Sequence, residues 1–176
     1  MKRQIRKSVF ETNSSSTHAI CISKEDVNVI KLPFSIDFTQ GDFGWEFRVI
    51  NDSHTKASYL YQVIFDMCYY RSPDKLQEYK NRISELLARY NIEAIFSKID
   101  EYDGYVDHAG EAMNFVNSVL SDGDKLIRFL FGDSIIVTGS DNDDYFDDYM
   151  YVDGNENWNY ELKDEFKKYE IYEKGN

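Results

Sequence analysis

The sequence is poor in the residues that mark secreted, membrane-borne and multidomain proteins. Two cysteines among 176 residues cannot build a disulfide framework. Cys21 and Cys68 lie in apolar contexts, AICIS and FDMCYY, and read as small buried hydrophobes of a reducing compartment. No apolar run approaches the ~18 residues that span a bilayer. The start, MKRQIRKSVF, lacks the apolar stretch of a signal peptide, so a cytosolic protein without a membrane segment is expected. With two prolines and no Pro/Gly/Ser tract, nothing marks a linker, and residues 1–176 read as one domain.

Positive charge is also scarce. Twenty Lys and Arg face 32 Asp and Glu, a net of −12, which excludes a whole-surface electrostatic grip on nucleic acid. The deficit is local: residues 1–98 hold 14 basic and 12 acidic side chains, a net of +2, and residues 99–176 hold 6 and 20, a net of −14. Asp141, Asp143, Asp144, Asp147, Asp148 and Asp153 crowd one stretch, whereas Lys2, Arg3, Arg6 and Lys7 make the N-terminus basic. The acidic stretch reads as a solvated loop, a cation site, or a surface that docks on a partner's nucleic-acid groove.

Hydrophobic periodicity outlines the elements. Residues 19–23 alternate apolar and polar, and residues 45–50 form an aromatic, β-branched run after Gly44, so both read as strands. Ala57, Leu60, Tyr61, Ile64, Phe65 and Cys68 share one helical face, with Asp52 or Ser53 as N-cap. Ser72-Pro73 stops that helix and starts a second with a stripe of Leu76, Tyr79, Ile83, Leu86, Leu87 and Tyr90. A third helix is predicted over 110–120 and a short fourth over 124–131, ended by Gly132. Residues 134–138, with their Ile-Ile-Val run, read as a central strand, and residues 149–152 and 169–172 as edge-like strands. Strands at both ends around a helical middle imply one α+β domain, its sheet mixed or antiparallel, with three to four helices in mid-chain.

Three segments concentrate polar chemistry. In Phe10-Glu11-Thr12-Asn13-Ser14-Ser15-Ser16-Thr17-His18, seven consecutive neutral polar or imidazole side chains precede a strand. Such a loop can form an anion nest, helped by Arg3 and Arg6, or an ordinary turn that satisfies its own backbone. It has no glycine and no Gly-Lys-Ser/Thr ending, so it is not a Walker-type loop, and no Gly-x-Ser-x-Gly elbow occurs. The second segment, Gly104-Tyr105-Val106-Asp107-His108, pairs a carboxylate with an imidazole ahead of a helix, which suits a site or a helix cap. The third, Gly139-Ser140-Asp141-Asn142-Asp143-Asp144, follows the Ile-Ile-Val strand, where open sheets place ligands. It lacks the frame of an EF-hand.

The Phe-Glu-Thr-Asn-Ser-Ser-Ser-x-His signature, with the later Asp107-His108 pair and Ser140-Asp141-Asn142 loop, resembles a family of small proteins of phages and other mobile elements. The firm resemblance covers the first ~24 residues; Ala109-Gly110 stand where relatives carry Gln-Ser. The sequence also looks like type II-A anti-CRISPR proteins of streptococcal mobile elements, among them one that shortens the guide RNA held by the effector nuclease. The resemblance implies guide-RNA processing in the host cytoplasm, with the effector protein and its guide RNA as partners.

Two mechanisms fit that implication. In one, His18 and His108 act as acid and base on an RNA phosphodiester, with Asn13, Ser14, Ser15, Ser16 and Arg3 or Arg6 holding the phosphate. In the other, Glu11, Asp107, Asp141 and Asp143 hold Mg²⁺ or Mn²⁺. A third reading is not enzymatic: an acidic inhibitor that occupies a basic groove of the effector.

Overall fold

In the computed structural model the described residues are 16–28, 31–68, 72–98, 104–140, 144–154 and 159–175. Strand β1 (Ser16–Ser23) begins three residues earlier than its apolar alternation suggests, and all eight of its residues are buried. It is paired on both sides, antiparallel to β5 (Ile135–Ser140) and to β8 (Tyr169–Lys174). The short β3 (Arg48–Ile50) pairs antiparallel with β5 and completes a sheet of order β3-β5-β1-β8. The Ile-Ile-Val strand is therefore internal, and the C-terminal aromatic strand stands at the edge.

Period-two geometry divides β1 between two cores. Ile20 and Ile22 face the helices, while Ala19 and Cys21 face a smaller cluster with Val137, Phe146, Met150 and Phe166. The helical layer comprises α1 (Ser53–Cys68), α2 (Pro73–Ala88), α3 (Met113–Ser121) and α4 (Gly123–Phe131). A 3-10 turn, Ala109–Ala112, replaces the first turn predicted for the third helix. Local chemistry explains the helix ends. Asp52 Oδ1 accepts the Thr55 N–H at 2.8 Å, Asp122 Oδ1 accepts that of Asp124 at 3.0 Å, and Gly132 N–H closes α4 on the Arg128 carbonyl.

Three elements depart from the sequence reading. The pieces Ser35–Phe38 (β2) and Glu93–Phe96 (β4) form a separate parallel pair. Each has four residues, too short for periodicity to announce. Residues 145–150, which fall in the acidic stretch and overlap the strand expected over 149–152, form helix α5 (Tyr145–Met150), because Phe146 and Met150, four apart, both reach the smaller core. The hairpin β6 (Tyr151–Gly154) and β7 (Asn159–Leu162) follows it. Of the predicted strand 45–50, only Arg48–Ile50 pairs with the sheet.

Helix α1 is buried on more than its apolar stripe: Lys56, Ser58, Tyr59 and Gln62 are buried as well. Lys56 Nζ donates to the carbonyls of Gly132 at 3.1 Å and Ser134 at 3.0 Å, so a buried cation sits on the C-terminal end of α4. Phe115 of α3 joins the layers, its ring 5.1 Å from that of Phe129 and 6.1 Å from that of Tyr172 on β8. Truncating this side chain, which has no exposed surface, removes contacts to helix and sheet together. We expect Phe115→Ala to lower the unfolding free energy by about 3–5 kcal/mol in urea titrations; a loss below about 1 kcal/mol would show that the layers do not meet there.

Candidate functional site

Polar residues enter the core at the Ser16 end of β1, and Ser16 and His18 acquire partners from different parts of the chain. The backbone N–H of Ser16 donates to Asp107 Oδ2 at 3.2 Å. Lys174, from the last strand, donates through Nζ to Ser16 Oγ at 2.8 Å and to the Ser16 carbonyl at 3.3 Å. On the other side of β1, Ser16 is the register partner of Ser140, the residue that precedes Asp141 in the sequence. Three segments separated by some ninety and thirty residues thus meet at one end of the sheet.

His18 lies two residues along, on the same face as Ser16. Its Nε2 is 3.2 Å from the Gly44 carbonyl and its Nδ1 is 2.9 Å from the Tyr59 hydroxyl. A carbonyl only accepts, so the proton sits on Nε2 and Nδ1 accepts from Tyr59. The ring has no exposed surface. Burial, followed by the charge of Lys174, its register partner, lowers its pKa to about 3. Sequence reasoning places His18 at the mouth of a strand as a proton-exchanging group; the structure places it inside the strand as a neutral ring joining β1, α1 and the Gly44 turn. The difference arises because β5 and β8 both pair with the polar start of β1 and draw it into the interior.

His108 has the opposite environment. Half of its side chain is exposed, with Nδ1 3.2 Å from Glu111 Oε1 and Nε2 3.6 Å from Asp107 Oδ1. It holds φ +51°, a left-handed conformation that costs an L-residue roughly 1–2 kcal/mol. It stands at the N-cap position of the 3-10 turn, and its carbonyl accepts the Glu111 N–H at 2.9 Å. The second Glu111 oxygen accepts the N–H of Gly175 at 3.0 Å. The Asp107–Glu111 segment therefore ties the start of β1 to the end of β8.

Lys174 balances this group. It is buried, and desolvation lowers its amine to about 8 although Asp107 and Glu111 draw it back upward. Thr17 turns to the opposite face, where its hydroxyl is buried without a hydrogen-bond partner among the described residues.

Of the residues singled out from the sequence, the structure brings Ser16, Asp107 and His108 together and sets His18 beneath them. Arg3, Arg6, Glu11, Asn13, Ser14, Ser15, Asp141 and Asp143 lie outside the described residues. Among the described residues no group of three His, Cys, Asp or Glu side chains is arranged to hold a metal. Sequence reasoning missed Lys174, Glu111 and Tyr59. The His108-x-x-Glu111 spacing, one turn apart, could have pointed to the second; the other two carry no local signal.

Among known protein families, curated proteins and solved structures, none matches the chain.

His18 binds a proton near pH 6.5 when unfolded and only near pH 3 when folded. Its contribution is therefore complete above pH 6.5 and is lost as pH falls toward 3. The stability difference between the wild type and His18→Gln should shrink by about 1.4 kcal/mol for each pH unit below 6.5. Urea titrations between about pH 7 and pH 5 measure this, and a pH-independent difference would mean that the ring is solvated.

Proposed function

We propose that the protein is an anti-CRISPR factor of a mobile element that engages a type II-A effector in the host cytoplasm and shortens its guide RNA. The cut is placed at the sheet end formed by Ser16, Asp107 and His108. The substrate is suggested by the resemblance of residues 10–18 to the family signature. The observation that carries the site is the Ser16 N–H bond to Asp107, with Ser16 beside Ser140, because it joins the three segments that the sequence singles out.

His108 is the group suited to proton transfer, since its imidazole reaches solvent and is oriented between Asp107 and Glu111. Attack of an RNA 2′-hydroxyl on the adjacent phosphorus breaks the bond to the 5′-oxygen. The proton leaves the 2′-oxygen and one is returned to the 5′-oxygen, an exchange that an accessible imidazole can serve. His18 then holds the floor of the site. The carboxylates of Asp107 and Glu111 disfavour a bare phosphate, so RNA affinity must come chiefly from contacts with the effector protein. Asp107 would hold Mg²⁺ or Mn²⁺ only with further ligands from residues 11 and 141–143.

The test is the length of guide RNA on a denaturing gel after effector, guide and protein are mixed, with and without a chelator. Wild-type protein should shorten the guide. His108→Ala should slow shortening by about 10²–10⁴-fold, and a urea titration separates this from any stability lost by placing Ala at φ +51°. Shortening by His108→Ala at the wild-type rate would remove the ring from the mechanism.

A second reading draws on the burial of His18 and on the net −14 of residues 99–176: a non-enzymatic inhibitor whose acidic half occupies a basic groove of the effector. It predicts inhibition with guide RNA of unchanged length. It also predicts an association rate that falls steeply once salt shortens the screening length to about 8 Å. A rate indifferent to salt would exclude it.

A further inference from the structure

Away from the sheet end, β2 and β4 run parallel, and the chain leaves their carboxyl ends through residues 39–42 and 97–98. With Gly104 these segments enclose a cleft of about 470 Å³ lined by Thr39, Gly41, Asp42, Ser97, Lys98 and Gly104. The cleft lies beyond the carboxyl ends of two parallel strands, and its volume lies within the range of small-molecule sites.

The walls are held by buried polar groups of α1. Gln62, which has no exposed surface, accepts the Gly41 N–H through Oε1 at 3.3 Å and donates through Nε2 to the Gly104 carbonyl at 3.1 Å. The same Nε2 donates to Asp66 Oδ1 at 2.9 Å, and Asp66 Oδ2 accepts the Val106 N–H at 2.6 Å. Burial raises the Asp66 carboxyl to about 6, so keeping this group inside costs stability. Gly104 adopts φ +99°, and a Cβ there would lie 2.3 Å from the Gly41 carbonyl oxygen, so the two backbones are in direct contact. A buried amide and a half-buried carboxylate that fix two loops, rather than filling a core, are the local conflict expected at a site with a task.

We infer that this cleft binds a ribonucleoside 5′-phosphate unit, with the Lys98 ammonium on the phosphate and the Asp42 carboxylate on the ribose diol. The lining offers hydroxyls, backbone groups and two charged side chains, which suit a polar ligand. The opposite charges of Lys98 and Asp42 suit a molecule that carries an anion at one end and vicinal hydroxyls at the other. The close-packed glycine backbones leave the loop walls free of side-chain bulk. The inference does not rest on RNA cleavage at the sheet end, and either can fail alone.

Isothermal titration of the full chain with AMP, GMP, CMP and UMP, with their 2′-deoxy forms, and with a short 5′-phosphorylated RNA tests it. At least one ribonucleotide or the RNA should bind saturably. Lys98→Ala and Asp42→Asn should each weaken that binding about tenfold or more, as loss of a charge-assisted hydrogen bond does, and the deoxy form should bind more weakly than the ribo form. Both variants alter exposed side chains, so their melting temperatures should match the wild type. Tighter binding of the phosphorylated RNA than of any mononucleotide identifies an RNA end as the source of the unit, and the reverse order a free nucleotide. Absence of binding by every probe at millimolar concentration, or affinities unchanged in both variants, would overturn the inference.

Discussion

Burial of β1 on both faces is the constraint from which the rest follows. A strand whose helix-side face were wet could carry Ser16 and His18 at no cost. Here β5 and β8 flank it, the helices cover one face and α5 with Phe166 the other. Each polar group drawn inside must find a partner or cost roughly 1–3 kcal/mol. The partners of Ser16 and His18 come from residues 44, 59, 107 and 174, so meeting the needs of two residues, one of them through its backbone N–H, fixes four distant parts of the chain. The same requirement assembles the candidate site.

Charge at that end of the sheet follows the same logic. Lys174 cannot be buried alone, because an unpaired ammonium in the interior would lose its proton or unfold the strand that carries it. Hydrogen bonds to Ser16 and the nearby carboxylates of Asp107 and Glu111 keep it, and its charge adds to the larger effect of burial in holding the His18 ring neutral. The two bases of the region are thereby separated in kind: one imidazole buried and uncharged, the other exposed between carboxylates.

What could be read in the sequence was set by how far each residue's fate depended on its neighbours alone. The Ile-Ile-Val strand, the stripe of α2 and the Asp52 cap are local facts, and they were legible. The early start of β1 was not, because Ser, Thr and His become strand residues only through register with β5 and β8. Nor could Lys174 be seen as buried. In Tyr169-Glu170-Ile171-Tyr172-Glu173-Lys174 no hydropathy distinguishes it from the glutamates, and its inward direction comes from pairing with His18. Asp107 and His108 stood out as a pair beside a glycine, yet their relation to Ser16, ninety-one positions away, belongs to tertiary structure.

Helix α1 joins these features. Tyr59, Gln62 and Asp66, at spacings of three and four, form a polar stripe alongside the apolar one. Each holds a different loop: Tyr59 the His18 ring, Gln62 the backbones of Gly41 and Gly104, and Asp66 that of Val106, the residue before Asp107. The His108 region and the cleft beyond β2 and β4 thus hang from consecutive turns of one buried helix. Any rotation of α1 that moved one would move the other, and the polar stripe resists it, because a turned helix would strand an amide, a carboxylate and a phenol in apolar surroundings. Packing alone would tolerate small adjustments of such a helix. Its polar contacts admit only one setting, and that setting positions both the candidate site at the sheet end and the cleft beyond β2 and β4.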